Sequence, residues 1–153
     1  MLRMSKLTDY GTVVMTYLAK EHSHLHAVSE IAAQVQVAAP TVSKVLKRLV
    51  REGLVVSHRG AKGGYSLARP AEQISMVDII DALEGPVGLT ECGSAPGLCS
   101  QESSCSIRTN WQRINGAVRG ALAGVTLAEM AEPEPPRSNG APVRFYAKQV
   151  NAL

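Results

Sequence analysis

Three cysteines are the residues best suited to chemistry, and all lie inside one fifteen-residue stretch, "ECGSAPGLCSQESSC" (Glu91–Cys105). They are Cys92, Cys99 and Cys105, and glycine, serine and proline fill most of the gaps. The odd count leaves a thiol over if a disulfide forms, and clustered thiols in a reducing compartment favour metal over a disulfide. Zinc usually wants four protein ligands, often in close C-x2–4-C pairs, whereas the spacing here is the wider C-x6-C-x5-C. An iron–sulfur cluster, either 2Fe–2S or 4Fe–4S, spreads its thiolates over a larger object and tolerates a wide loop. It would leave one position for a non-cysteine ligand. At this point disulfide, zinc, cluster and three independent thiols all remain open.

The elements flanking this loop must hold it and give it something to control. At 153 residues the chain is long enough for one domain with its own core, and with one Phe and one Trp that core must be aliphatic. No apolar stretch reaches the length of a membrane span. The opening "MLRMSKLTDYG" has no long apolar segment followed by a cleavage site, so a cytoplasmic protein is expected. Charge is uneven: residues 1–70 carry ten Lys/Arg against four Asp/Glu, and residues 71–153 carry six against nine. A basic front half is the footprint of a nucleic-acid binder. No Ser/His/Asp arrangement, phosphate loop or pair of carboxylates stands out, so an enzyme is not expected.

"KLTDYGTVVMTYLAKE" reads as a helix with Leu7, Tyr10, Val14, Tyr17, Leu18 and Glu21 at helical spacing and Thr8 or Asp9 near its start. "HSHLHA" breaks it: His22, His24 and His26 invite a metal reading, since a helix would align His22 with His26 and a strand all three, but in a loop they are expected to form a solvated connector. "VSEIAAQVQV" follows as a short helix with Ser29 as N-cap and Ile31, Ala32 and Val35 inward. "VAAPTVSKVLKRLVREG" is the clearest helix, with Pro40 at its start, Gly53 past its end and an apolar stripe of Val42, Val45, Leu46, Leu49 and Val50. Two short helices with a tight joint, the second basic outside and apolar inside, predict a helix-turn-helix. "LVVSHRGAKGGYSLA" adds two strands, Leu54–His58 and Tyr65–Ala68, around a basic glycine-rich tip.

This predicts a winged helix-turn-helix, mainly α with a small β-hairpin wing, that binds double-stranded DNA. Lys44, Lys47, Arg48, Arg51, Arg59 and Lys62 are candidate phosphate contacts. Thr41, Ser43 and Lys44 are placed to reach base edges, and Arg59 a minor groove. Gly60, Gly63 and Gly64 suit both a tight turn and close approach to DNA. "ISMVDIIDALEG" gives a further helix capped by Ser75, with Met76, Ile79, Ile80 and Leu83 inward. In "NWQRINGAVRGALAGV", Trp111, Ile114, Val118, Leu122 and Val125 make nearly a heptad seam. Its glycines lower intrinsic helicity, so a homodimer through this long helix is expected to supply the missing stability. The expected organisation is DNA-binding domain 1–85, cysteine loop 86–108, dimerisation region 109–131 and a disordered tail 132–153.

The segments "SKLTDYG", "PTVSKVLKRLVREGLV", "RGAKGGYSLARP", "DIIDALEG" and the three cysteines resemble the Rrf2 family of iron–sulfur winged-helix regulators over residues 1 to about 130. "LTDYGTVVMTYLA", "ALEGPVGLTEC" and "NWQRIN" are most similar to its branch controlling SUF-system cluster-assembly genes. The resemblance implies a dimeric repressor whose cluster sits on Cys92, Cys99 and Cys105. IscR-type members place a histidine three residues after the third cysteine, where this chain has Arg108, a very poor ligand. NsrR-type members complete the site with an aspartate of the other subunit, in a segment resembling "LTDYG". Asp9 matches it, the alternatives being water, Glu91 or a small thiol, with Asp9 only steadying the helix start. A nitric-oxide or thiol sensor, and an iron–sulfur carrier using the winged helix for protein contacts, are the rival functions.

Overall fold

The computed structural model describes residues 4–60 and 62–133. The elements run α1 (Lys6–Lys20), α2 (Val28–Val35), α3 (Ala39–Arg51), β1 (Val55–His58), β2 (Gly64–Leu67), a 3-10 turn (Ala71–Gln73), α4 (Met76–Glu84), α5 (Glu91–Ser94), α6 (Arg108–Ala123) and α7 (Leu127–Ala131). α2 and α3 form the helix-turn-helix, joined through Gln36 in the left-handed conformation (φ 54°) and a bond from the Val37 N–H to the Ala32 carbonyl. β1 and β2 pair antiparallel, Val55 opposite Leu67 and His58 opposite Gly64. Most of the expected tail lies outside the described residues, as does Ala61.

The core is aliphatic, as the composition requires. Val14 and Met15 from α1, Val45 and Leu49 from α3, and Ile79 and Leu83 from α4 are among its buried members. The expected stripe on α3 holds: Val42, Val45, Leu46 and Leu49 are fully buried and Val50 half-buried.

On α1 the buried face is rotated from the expected one. Thr8, Gly11, Val14, Met15 and Leu18 point inward, while Leu7, Tyr10 and Tyr17 flank the core and Glu21 is the C-cap. Two polar anchors set this rotation. Ser5 is the N-cap, accepting from the Thr8 N–H, and the Glu84 carboxylate at the end of α4 takes both the Ser5 N–H and the Thr8 hydroxyl. Gly11 completes the fit, since a methyl group there would collide with the Leu83 side chain.

α2 begins at Val28 behind Ala27, with no side-chain cap, so Ser29 does not serve. Its entry is fixed instead by His26, which exchanges two backbone hydrogen bonds with Tyr65 of β2. Gly64 permits this bridge, because a Cβ there would press on the His26 backbone. α4 is capped as expected by Ser75, in a reciprocal box with Asp78, but Val77 rather than Met76 is its buried first-turn residue.

The expected long region 109–131 is two elements. α6 stops at Ala123, and the chain then pairs with the start of α4: the Met76 N–H bonds to the Val125 carbonyl and the Leu127 N–H to the Ile74 carbonyl. Thr126 and Glu129 form a second reciprocal cap that starts α7. Leu127 is wholly buried in the DNA-binding core, where α7 packs on α1. Residues 125–131 therefore pack against the helices of the winged-helix domain.

Candidate DNA interface and cysteine centre

The recognition helix is held by its apolar stripe, which leaves the opposite face free. Lys44, Lys47 and Arg51 are exposed on that face, and Thr41 and Ser43 near its start are half-buried. Arg51 also pairs with its neighbour Glu52 at 3.0 Å. Arg59 and Lys62 are exposed at the wing tip, where Gly60 turns the chain at φ 123°. α3 and the wing thus present cations from two elements of one fold, the arrangement needed to grip a phosphate backbone while a helix lies in the major groove. Arg48, the other expected phosphate contact on α3, is half-buried. Its guanidinium is turned toward α4 and donates to the Leu83 carbonyl, so it closes an orphan carbonyl near that helix end.

The cysteine loop is anchored on α6. Asn115, only 5% exposed, is the buried residue of that helix. Its Oδ1 accepts from the Leu89 N–H at 2.8 Å, and its Nδ2 lies 3.4 Å from the Thr90 Oγ1. The Thr90 hydroxyl is in turn 3.3 Å from the Cys92 Sγ. Gly93, beside Cys92 on α5, packs so closely that a side chain there would strike the Asn115 amide. At the other end, Arg108 pairs with Glu102 at 2.6 Å, and Glu102 accepts from the Gly97 N–H at 2.6 Å. Arg108 is therefore a clasp across the segment that carries Cys99 and Cys105.

Cys92, Cys99 and Cys105 are all free thiols and all half-buried. Their sulfurs do not lie together within 4.8 Å, as ligands of a single ion would. The donor chemistry fits a polynuclear centre, whose thiolates are spread over more than one iron. One further observation agrees: the Arg108 Nε is buried without a hydrogen-bond partner, a spare donor beside a loop that would carry negative charge. Asp9 sits exposed on the first turn of α1, lining an open groove with Val13, Gln34 and Met130. Among the described residues its carboxylate has no hydrogen-bonded or ionic partner.

α6 exposes its expected seam unevenly. Ile114 is 44% exposed and Ile107 at the helix start 51%, while Trp111, Val118 and Leu122 are half-buried. Toward its own domain, α6 is tied to α4 by a two-pronged pair in which both terminal nitrogens of Arg119 bond to Asp81, at 2.8 and 3.1 Å.

Comparison with known proteins agrees with this architecture. A sequence model of the Rrf2 family, described as iron-dependent transcriptional regulators, matches residues 4–133. This chain belongs to the Rrf2 family. Protein aau3 of Rhizobium meliloti is 30% identical over 88% of this chain and 88% of its own length. Among solved structures, CymR, the global cysteine regulator of B. subtilis, superposes with a TM-score of 0.67 at 32% identity, covering 86% of this chain and 97% of CymR. IscR of T. potens gives 0.64 at 28% identity, covering 84% and 85%. This Rrf2 protein is a winged-helix, DNA-binding transcription regulator and not an enzyme. Among its described residues no helix is long and apolar enough to cross a membrane.

Sequence reasoning misses a polar cluster beneath the wing. His26 is expected in a solvated connector with His22 and His24, yet it is 1% exposed. Its ring meets Tyr17 edge-on and His24 at a tilt. The Glu30 carboxyl is held down to about 2 by hydrogen bonds from His26 and then His24. His26 is buried because its backbone pairs with β2, a long-range bridge that no local periodicity encodes.

Proposed function

We propose that this Rrf2 regulator represses iron–sulfur cluster-assembly genes of the SUF type, and that it senses cluster supply through a cluster held by Cys92, Cys99 and Cys105. Asp9 of the partner subunit supplies the fourth ligand. The observation that carries this reading is the cysteine loop itself: three free, half-buried thiols on one segment, clasped at both ends to the helix that follows. Bound there, the cluster supplies a thiolate-anchored centre with one weaker oxygen ligand, which makes it labile. The unpartnered Asp9 carboxylate and the groove around it are open to a second copy. The exposed apolar residues of α6 offer the surface for a homodimer, and two recognition helices then read a near-palindromic operator with half-sites about one or two helical turns apart.

Anaerobically purified protein is expected to be brown, with iron and acid-labile sulfide near stoichiometry, and each of Cys92→Ser, Cys99→Ser and Cys105→Ser to abolish both. Ile114→Glu is expected to yield a monomer with weakened operator binding. A colourless protein whose operator binding follows thiol oxidation would establish the thiol-sensor reading instead. A coloured protein without operator binding would favour a cluster carrier.

A further inference from the structure

A second constellation of metal-ligating side chains lies at the root of the wing, on elements that carry no cysteine. The Nε2 of His24, the Nδ1 of His26 and a carboxylate oxygen of Glu30 all lie within 4.8 Å of one another. The Glu30 Oε1 is 2.9 Å from the His26 Nδ1 and 3.0 Å from the His24 Nε2. We propose that His24, His26 and Glu30 bind a divalent transition-metal cation of the zinc class, with one coordination position left for water.

The protons argue for a cation here. The His26 Nε2 faces the Glu21 carbonyl, which can only accept, so this nitrogen carries the ring proton. In the neutral ring the Nδ1 lone pair is then aimed at the Glu30 carboxylate, whereas in the imidazolium a proton on Nδ1 makes the hydrogen bond to it. The Tyr17 hydroxyl lies 3.1 Å from that nitrogen and 3.3 Å from the Glu30 Oε1, and its one proton can serve only one of them. The 2.9 Å approach of Nδ1 to Oε1 remains a meeting of two lone pairs unless a proton or a metal ion lies between them. A metal-bound histidine typically donates its other N–H to a carbonyl or carboxylate, which fixes its tautomer, and the Glu21 carbonyl already does this for His26.

Geometry and ligand type select the metal. Zinc with bonds of about 2.0–2.1 Å places tetrahedral ligand atoms about 3.4 Å apart, so the cluster must open by about 0.4 Å. The side chains that must move are free to do so: His24 is 55% exposed and Glu30 36%, while the nearly buried His26 stays fixed. Two imidazoles and one carboxylate suit zinc, cobalt or nickel and not magnesium or calcium, which prefer all-oxygen sites. Because the backbone of His26 pairs with Tyr65 and Glu30 stands in the first turn of α2, a bound ion would tie the helix-turn-helix to the wing root.

The test uses the full chain with Cys92, Cys99 and Cys105 all changed to Ser, since thiols bind the same metals. Titration with cobalt(II) is expected to give one ion per chain, with visible bands of a nitrogen–oxygen site that zinc(II) displaces. His24→Ala and Glu30→Gln should each weaken zinc at least about tenfold, and His22→Ala should not. His24 is the decisive position because its exposed side chain can be removed without disturbing the core. Hydrogen exchange at the His26 and Tyr65 amides should slow when zinc is added. Binding no tighter than about 0.1 mM, or binding indifferent to His24→Ala, overturns the proposal and leaves a shared proton as the occupant. Should the triple variant not fold, the cysteine-intact protein, kept anaerobic and dialysed after zinc loading, replaces it: zinc retention that falls with His24→Ala supports the site, and retention unchanged by that substitution overturns it.

Discussion

Replacing Asn115 with alanine tests whether the cysteine loop is governed from inside α6. The amide holds the Leu89 N–H at 2.8 Å and reaches the Thr90 hydroxyl at 3.4 Å, in a residue only 5% exposed. Each hydrogen bond contributes about 1 kcal/mol net, and leaving the half-buried Leu89 N–H without a partner adds to the cost, so the loss should be about 2 kcal/mol. For a chain of this size that lowers the melting temperature by about 4–8 °C. The more specific readout is thiol chemistry. The Thr90 hydroxyl bridges Asn115 and the Cys92 sulfur, so freeing it should make Cys92 react faster with a thiol reagent in cluster-free protein. Gly93→Ala pushes on the same joint from the loop side and should act alike. An Asn115→Ala protein that melts within about 1 °C of the original and shows unchanged thiol reactivity would refute the reasoning.

Leu127→Ala should cost about 2–5 kcal/mol in urea unfolding, because the side chain is wholly buried in the winged-helix core; unchanged stability would count against that placement. Glu84 is held below its ordinary value, first by the Thr8 hydroxyl and then by Ser5, so its contribution is present above the ordinary glutamate range and lost as pH falls through it. Glu84→Gln should therefore flatten the decline in stability between about pH 5 and pH 3, and an unaltered pH profile would count against the clasp. Lys47→Ala should weaken all DNA sequences alike and reduce the salt slope by about one, whereas Ser43→Ala should change the preferred base at one position; binding-site selection on both variants separates these outcomes. Arg119→Ala should cost about 1 kcal/mol, since the pair is partly exposed. It should also narrow the difference in operator affinity between cluster-loaded and cluster-free protein, and an undiminished difference would remove α4 from the connection.

Legibility in the sequence followed the range of the forces involved. α3 and the hairpin are readable because a 3.6-residue stripe and a glycine-rich turn are local patterns, and the structure keeps them almost residue for residue. The cysteine loop is readable from composition alone. The break between α6 and α7 is not, because Val125 continues the heptad spacing that begins at Trp111. What ends the helix is pairing with Ile74 and Met76, fifty residues away in the chain. A signal is present, since Thr126-x-x-Glu129 is a capping box that marks a new helix start. The helical wheel gives the face of Arg48 but not its bond to the Leu83 carbonyl, because α4 supplies that neighbour from far along the chain. Asn115, a polar residue inside an apolar seam, carries a signal of the opposite kind: off-pattern for packing, and buried because the loop needs it.

These long-range bonds also fix what the cysteine loop can move. The loop is fastened to α6 through Asn115, α6 to α4 through Arg119 and Asp81, and α4 to the recognition helix through Arg48 and the Leu83 carbonyl. Asp81 also accepts from the Val87 N–H at 2.9 Å, so the chain entering the loop and the salt bridge share one carboxylate. A displacement of the loop that turns α6 must therefore either break the Arg119 pair or carry α4 with it. The second course shifts the Leu83 carbonyl and, with it, the last turns of α3. The opposite end of α4 is pinned by the capping box at Ser75 and by the pairing with Thr126, so α4 is held at both ends. Its C-terminal end also holds Glu84, whose bonds to Ser5 and Thr8 fix the start of α1 one residue from Asp9. α4 thus touches both the recognition helix and the start of α1, beside the residue proposed to complete the partner's cluster, and Arg119→Ala tests whether that contact chain carries a response.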